Sequence, residues 1–392
     1  MSFFGRQLTI VASSFQIFLL THSSLQVGLL SLAQLGPLIA CSFVGGTLAD
    51  AIDRRKVLVV SNVLMAATSA GLAVNANMSR PLVWPIYLFT AMSAGLSAID
   101  SPTRSAVVPS LVRRDQIPAA AALNQTGYQF GQVGGPALAG VIIASVSLSA
   151  AYWVDVITFG VALITLALLP PLLPQGGGTK AGIGSIKEGL RYVRGERAIQ
   201  GVFLIDINAM VFGMPRALFP QLGTELYHGG AGTVGLLYAA PAAGAFIGAV
   251  TTGWVGHVRR QGAAVLWAVL VWGLAIAAFG AANWLPLGLL LLAIAGAADV
   301  ISAVFRGTIL QLHVPDRLRG RLQALNIAVV TGGPRVGDLE AGVVATATSP
   351  QISVVSGGLA CVAGVALFAK LIPELAAWQA TPGSTDTLDQ LT

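Results

Sequence analysis

Gly45-Gly46-Thr47-Leu48-Ala49-Asp50-Ala51-Ile52-Asp53-Arg54-Arg55-Lys56 closes one long apolar run and precedes another. The paired glycines let two helices approach closely. Asp50 is placed to accept hydrogen bonds from a helix N-terminus or an arginine. Three consecutive cations follow, as in a cytoplasmic loop between membrane spans. The rest of the 392 residues agrees: 55% are hydrophobic and 10% charged, where a soluble domain carries about a quarter charged residues. The 46 glycines suit helices packed through small side chains. A formal net charge of +6 does not point to nucleic acid, because the cations cluster in short loops between apolar runs. Cys41 and Cys361 both lie inside apolar runs, so neither a disulfide nor a metal site is expected. The first apolar run lacks a basic leader and a cleavage site, so no cleavable signal peptide is expected.

A helix needs roughly 20 apolar residues to cross the hydrocarbon core. Twelve runs serve as spans: 3–20, 27–48, 57–76, 82–108, 119–146, 150–172, 199–222, 232–255, 263–281, 285–312, 322–347 and 352–371. Charge supports the count. The loops after even-numbered spans 2 to 10 hold Arg54, Arg55, Lys56, Arg113, Arg114, Lys180, Lys187, Arg191, Arg194, Arg197, Arg259, Arg260, Arg317, Arg319 and Arg321, and those after odd-numbered spans hold only Arg80. Basic loops stay inside, so both termini are placed in the cytoplasm of a multi-pass cell-membrane protein. The expected organisation is a six-helix half at 1–172, a cytoplasmic linker at 173–198, a second six-helix half at 199–372 and a disordered tail at 373–392. Pro174-Gln175-Gly176-Gly177-Gly178 opens the linker. Ile186, Leu190 and Val193 then recur at helical spacing among cations, which predicts an amphipathic helix on the inner membrane surface. The halves repeat at an offset of 202 residues: Arg104 falls on Arg306, Ala122-Leu123-Asn124 on Ala324-Leu325-Asn326, and Gly135, Gly140 and Val141 on Gly337, Gly342 and Val343. That is a parallel repeat of the transporter kind.

These residues carry a resemblance. The opening stretch resembles the helix 2–3 loop of major facilitator transporters, G-x-L-A-D-R-x-G-R-R, with Gly46, Leu48, Ala49, Asp50, Arg54 and Arg55 matching and Ala51 and Asp53 departing. In span 5, Gly131-Gln132-Val133-Gly134-Gly135-Pro136-Ala137-Leu138-Ala139-Gly140 is similar to the G-x-x-x-G-P-x-x-G-G motif of proton-coupled exporters, with Ala139 replacing one glycine. Phe4–Thr9, Ile99–Pro109, Asp206–Pro220 and Gly332–Gly342 look like the enterobactin-exporter-like branch of that superfamily, which also holds macrolide and multidrug exporters. The resemblance implies an all-α fold of twelve transmembrane helices. It also implies efflux by proton antiport with alternating access, driven by the proton gradient with no cofactor. The cargo would be a small amphiphilic molecule, siderophore-like or drug-like. The protein is expected to be a monomer in the bilayer and not an enzyme; no P-loop is present to use ATP. A multidrug or macrolide pump is one alternative, and a non-transporting receptor or assembly factor on the same scaffold is another.

Charges inside a membrane are costly and become functional candidates. Asp100 and Arg104 stand four apart near the inner end of span 4 and can pair. With Gly46, Asp50, Arg54 and Arg55 they form the expected inner gate, in which Asp50 and Arg54 tie the first half to spans 10 and 11. Arg6, Asp206, Arg216, Asp299, Arg306, Arg335, Asp338 and Glu340 make up the expected proton and substrate pathway. Asp155 is placed near the outer end of span 6. Arg6 either lies deep in the membrane, with residues missing before Met1, or snorkels to the inner surface along its aliphatic stem. In span 5, Gly131, Gly135, Pro136 and Gly140 are expected to give a smooth, bent helix that rocks against the other half. A β-carbon at Gly135 would push the halves apart.

Overall fold

The computed structural model describes residues 2–170 and 183–379, and among them there are helices and no strands. In chain order the helices are α1 (Ser2–Thr21), α2 (Ser24–Ala51), α3 (Arg54–Asn77), α4 (Val83–Leu111), α5 (Ile117–Ser145), α6 (Leu148–Ala167), α7 (Ile183–Gly195) and α8 (Arg197–Phe212). There follow α9 (Phe219–Gln221), α10 (Gly230–Val250), α11 (Gln261–Ala281), α12 (Leu285–His313), α13 (Asp316–Ala347), α14 (Pro350–Leu371) and α15 (Pro373–Ala377). Each of the twelve expected spans has its helix. Among the described residues, nine of these stretches are both long and apolar enough to cross a membrane. The other three, α4, α5 and α13, are 29, 29 and 32 residues long. Their lower hydropathy comes from the residues of the motifs themselves: Asp100 and Arg104, the Gly and Gln of α5, and the charges of α13.

Three boundaries differ from expectation. Spans 2 and 3 extend toward one another, so only Ile52 and Asp53 separate α2 from α3. Asp53, a departure from the motif, caps α3: its carboxylate accepts from the Arg55 amide at 2.9 Å. Span 7 is broken rather than continuous. Gly213, Pro215 and Pro220 interrupt it, so that α8 ends at Phe212 and the chain proceeds through 3-10 turns at Arg216–Leu218, α9 and a π turn at Leu222–Leu226. The tail expected from 373 begins ordered. Pro373 starts α15, and Leu375, 0% exposed, sits against Gly201 of α8 and Gly262 of α11, where side chains would take its space. The remainder of the tail from 380, and Pro174–Gly178, lie outside the described residues.

The contacts divide the chain into two compact units, Met1–Ala181 with Arg216–Ala239, and Gly182–Pro215 with Ala240–Thr392. In the first, α1 packs on α5 and α6, and α3 on α4 and α6. Its core gathers Ala12, Ile17, Phe18, Leu72, Ile86 and Tyr152, with the Tyr152 hydroxyl donating to Gln16 Oε1 at 2.8 Å. In the second, α8 packs on α13 and α14, and α11 on α12 and α14. These are the pairings of the first unit moved one repeat along the chain. Close approach is repeated too. Gly131 and Gly135 face Phe3, Phe4 and Gln7 of α1, while Gly333 and Gly337, each 202 residues later, face Met210 and Val211 of α8. The linker helix α7 covers protein: Val193 joins the core of Ile199, Val314, Leu318 and Leu322, Glu188 pairs with Arg321, and Glu196 lies 3.2 Å from His313. Of its apolar stripe, Val193 is buried against this core and Leu190 is exposed.

Candidate functional site

Two clusters of polar side chains lie inside the helical units, one in each. In the second unit, Arg306 of α12 is 4% exposed. Its guanidinium lies 2.9 Å from Asp206 of α8 and 3.9 Å from Asp299, which stands earlier on α12, and it donates to Ser302 Oγ at 2.7 Å. Asp206 is 1% exposed, and beyond the ion pair its oxygens meet no hydrogen-bond donor among the described residues. A buried ion pair of this kind is sensitive to loss of either member. Three of the residues expected in the pathway, Asp206, Asp299 and Arg306, are thus brought together. Asp338 is buried on α13, three residues beyond Arg335, whose guanidinium donates to the Thr331 carbonyl one turn back. Glu340 is half-buried and makes no hydrogen bond or ion pair among the described residues. Arg216 is exposed, belongs to the first unit while Asp206 belongs to the second, and makes no ion pair among the described residues.

In the first unit, Asp100 of α4 is 5% exposed and pairs with Arg104 one turn on, at 3.0 Å. Its other oxygen accepts from Asn62 Nδ2 at 2.8 Å, which ties α4 to α3. Arg6 donates to Ser97 Oγ at the midpoint of α4, and its guanidinium lies 5.3 Å from the Phe3 ring centre. Ser97 is about 20 Å from either end of that helix at 1.5 Å per residue. Arg6 therefore reaches the middle of α4. Asp155 of α6 is also deep: 1% exposed, it accepts from Thr9 Oγ1 of α1 at 2.6 Å and Ser69 Oγ of α3 at 2.7 Å. Sequence reading put Asp155 near the outer end of span 6, and it stands two turns into α6. That reading missed Thr9, Ser69, Asn62 and Ser97, although Arg6 and Thr9 stand three apart on one helical face.

The expected gate is only partly described. Gly46 and Asp50 belong to the last turns of α2, and their side chains lie outside the described residues. Arg54 donates to the Ala106 carbonyl of α4 at 3.1 Å, and Arg55 to the Leu166 and Ala167 carbonyls of α6 at 3.1 and 2.7 Å. Cations at the first turn of α3 oppose that helix's dipole, but here they serve the C-terminal carbonyls of α4 and α6. The described bond of Arg54 ties α3 to α4. The span 5 expectation is corrected. A β-carbon at Gly135 would stand 2.5 Å from Gln7 Cβ and 3.2 Å from the Phe4 carbonyl, so it would push on α1. Gly140 is one of the residues at which α5 meets α10, with its would-be β-carbon 2.9 Å from the Ala231 carbonyl and 3.0 Å from Gly235 Cα.

Two helical repeats with charged residues inside them have the fold of major facilitator transporters, a class of membrane carriers and not of enzymes to which the family match over residues 1–388 assigns the chain. Solved structures share the fold. The nucleoside transporter NupG superposes with a TM-score of 0.73 over 96% of this chain and 96% of its own, at 12% identity. The xylose transporter XylE of E. coli gives 0.70 over 100% and 97%, at 14% identity. Within that class, the profile of the transmembrane secretion effector family matches residues 1–388, and the chain belongs to that family. Among curated relatives, enterobactin exporters EntS of Shigella boydii serotype 18 and Escherichia coli O81 are each 29% identical over 380 residues, 97% of this chain and 91% of theirs.

Proposed function

We propose that this transporter exports a small amphiphilic molecule of siderophore type from the cytoplasm in exchange for protons. The observation that carries the reading is the Arg306 cluster. A cation held between Asp206 and Asp299 can recruit an anionic group of the cargo when a proton neutralises one carboxylate. Proton and cargo then alternate at one site, as antiport requires. The likeness to enterobactin exporters supports the cargo class, and an anionic oxygen group is a ligand that a buried guanidinium accepts. Asp100 with Arg104, and Arg54 and Arg55 at the helix ends, would stiffen the first half during this cycle. Residues 1–172 and 199–372 would be the two moving halves, joined through 173–198, with both termini cytoplasmic and the protein working as a monomer. Asp338, Glu340 and Arg335 would line the route to the Arg306 cluster.

Counterflow in proteoliposomes tests the cargo. Labelled enterobactin should exchange for unlabelled enterobactin without any gradient, and Arg306→Gln should lower that exchange about tenfold. No exchange by folded wild-type protein rejects a siderophore cargo.

A further inference from the structure

The carboxyl group of Asp155 differs from those of Asp100 and Asp206 in what surrounds it. Asp100 and Asp206 each face a guanidinium, a group that donates hydrogen bonds and accepts none. Protonating either acid removes a charged partner of an arginine, although Arg306 keeps Asp299 at 3.9 Å. Asp155 faces hydroxyls. Thr9 and Ser69 both meet Oδ2, Thr158 Oγ1 lies 3.4 Å from Oδ1, and no ion pair is made among the described residues. A hydroxyl donates to a carboxylate, and after a rotation about its C–O bond it accepts from a carboxylic acid. Both protonation states therefore keep their partners. The backbone makes room for this group: any β-carbon on Gly5 would collide with Asp155 Oδ1 and Thr158 Oγ1.

The charges that face the site are few. On α1, Arg6 is one turn from Thr9, and its field reaches Asp155. On α3, Arg54, Arg55 and Lys56 lie at the opposite end, where Arg55 bonds the last carbonyls of α6, about 17 Å along that helix. On α5 the one titratable side chain is Tyr128, and on α6 itself it is Tyr152, bonded to Gln16. Arg6 itself is held by Ser97 of α4, not by Asp155.

We propose that Asp155 is a protonation site of the transport cycle, formed by Thr9, Ser69 and Thr158 around its carboxylate. A proton from water on one side adds to Oδ2, one of the two hydroxyls there turns from donor to acceptor, and the proton leaves to water on the other side. Because α1, α3 and α6 each supply part of the cage, any tilt of α1 changes it. The role in transport rests on the antiport reading given above; the protonation itself does not.

Infrared difference spectroscopy of the purified full chain, stepped between about pH 5 and about pH 9, reads the carboxyl without any substrate. The wild type should gain and lose a protonated-carboxyl band. Asp155→Asn should lack that band, and Asp155→Glu should show it at a shifted frequency. A band unchanged in Asp155→Asn, and unshifted in Asp155→Glu should the former not fold, overturns the assignment whatever the transport data say. In a second arm, uptake of enterobactin driven by a pH gradient should fall about tenfold in Asp155→Asn while gradient-free counterflow stays within about twofold. Equal gradient-driven uptake by variant and wild type removes Asp155 from coupling and leaves antiport standing. A wild type indifferent to the gradient removes antiport and leaves the infrared result standing.

Discussion

At the residue scale, the chain keeps its charges in two different ways. Asp206 and Arg306 are a buried pair with no further donor on the acid among the described residues. Removing one member of such a pair costs about 3–5 kcal/mol, whereas replacing both by apolar groups is often neutral. Arg306→Met should therefore lower the thermal midpoint of detergent-purified protein markedly, and Asp206→Leu with Arg306→Met should recover most of the loss. A double variant no more stable than the single one would show that the pair is not the source of the effect. The candidates themselves were legible, because aspartate and arginine stand out in apolar sequence and the 202-residue repeat set Arg104 against Arg306. Their partners were not legible. Thr9, Ser69, Asn62 and Ser97 are ordinary helix residues until the packing of α1, α3, α4 and α6 turns them toward a carboxylate or a guanidinium. The break in span 7 was not legible either: α8 ends at Phe212, and Gly213 and Pro215 lie between Asp206 and Arg216.

At the element scale, small residues determine which helices touch. Gly135 contacts α1 and Gly140 contacts α10, so the two glycines of one motif have separable effects. Gly135→Val should lower folded yield and thermal stability, since the added carbons meet Gln7 and the Phe4 carbonyl. Gly140→Val should spare yield more than Gly135→Val does but reduce counterflow. Fluorescence-detected size exclusion together with counterflow separates the two, and the reverse ranking would contradict this division. Leu375→Ala offers a simpler check. It empties a fully buried position between α8, α11 and α15, and should cost about 2–5 kcal/mol by the usual cavity penalty. An unchanged melting temperature would mean that α15 does not cap the second unit. Helix existence was readable from run length. Direction of packing was not, because a glycine face says that something approaches closely without saying which helix it is.

At the scale of the whole molecule, charge alternation and the repeat were enough to count twelve spans, and hydropathy alone was not, since α4, α5 and α13 fall short of it. Those helices bear the residues that a transporter places between its packed spans, so function itself lowers their apolar character. The paired repeats, α1 with α5 and α6, then α8 with α13 and α14, give the chain its internal symmetry. The sense of the coupling is the central claim, and everted membrane vesicles test it most directly. With enterobactin outside and a pH gradient imposed, acid inside, the wild type should accumulate enterobactin in the vesicle lumen, which corresponds to the cell exterior. Collapsing the gradient with a protonophore should abolish that accumulation. Accumulation that persists after the gradient is collapsed, or that is driven only when the gradient is reversed, would contradict proton-driven export.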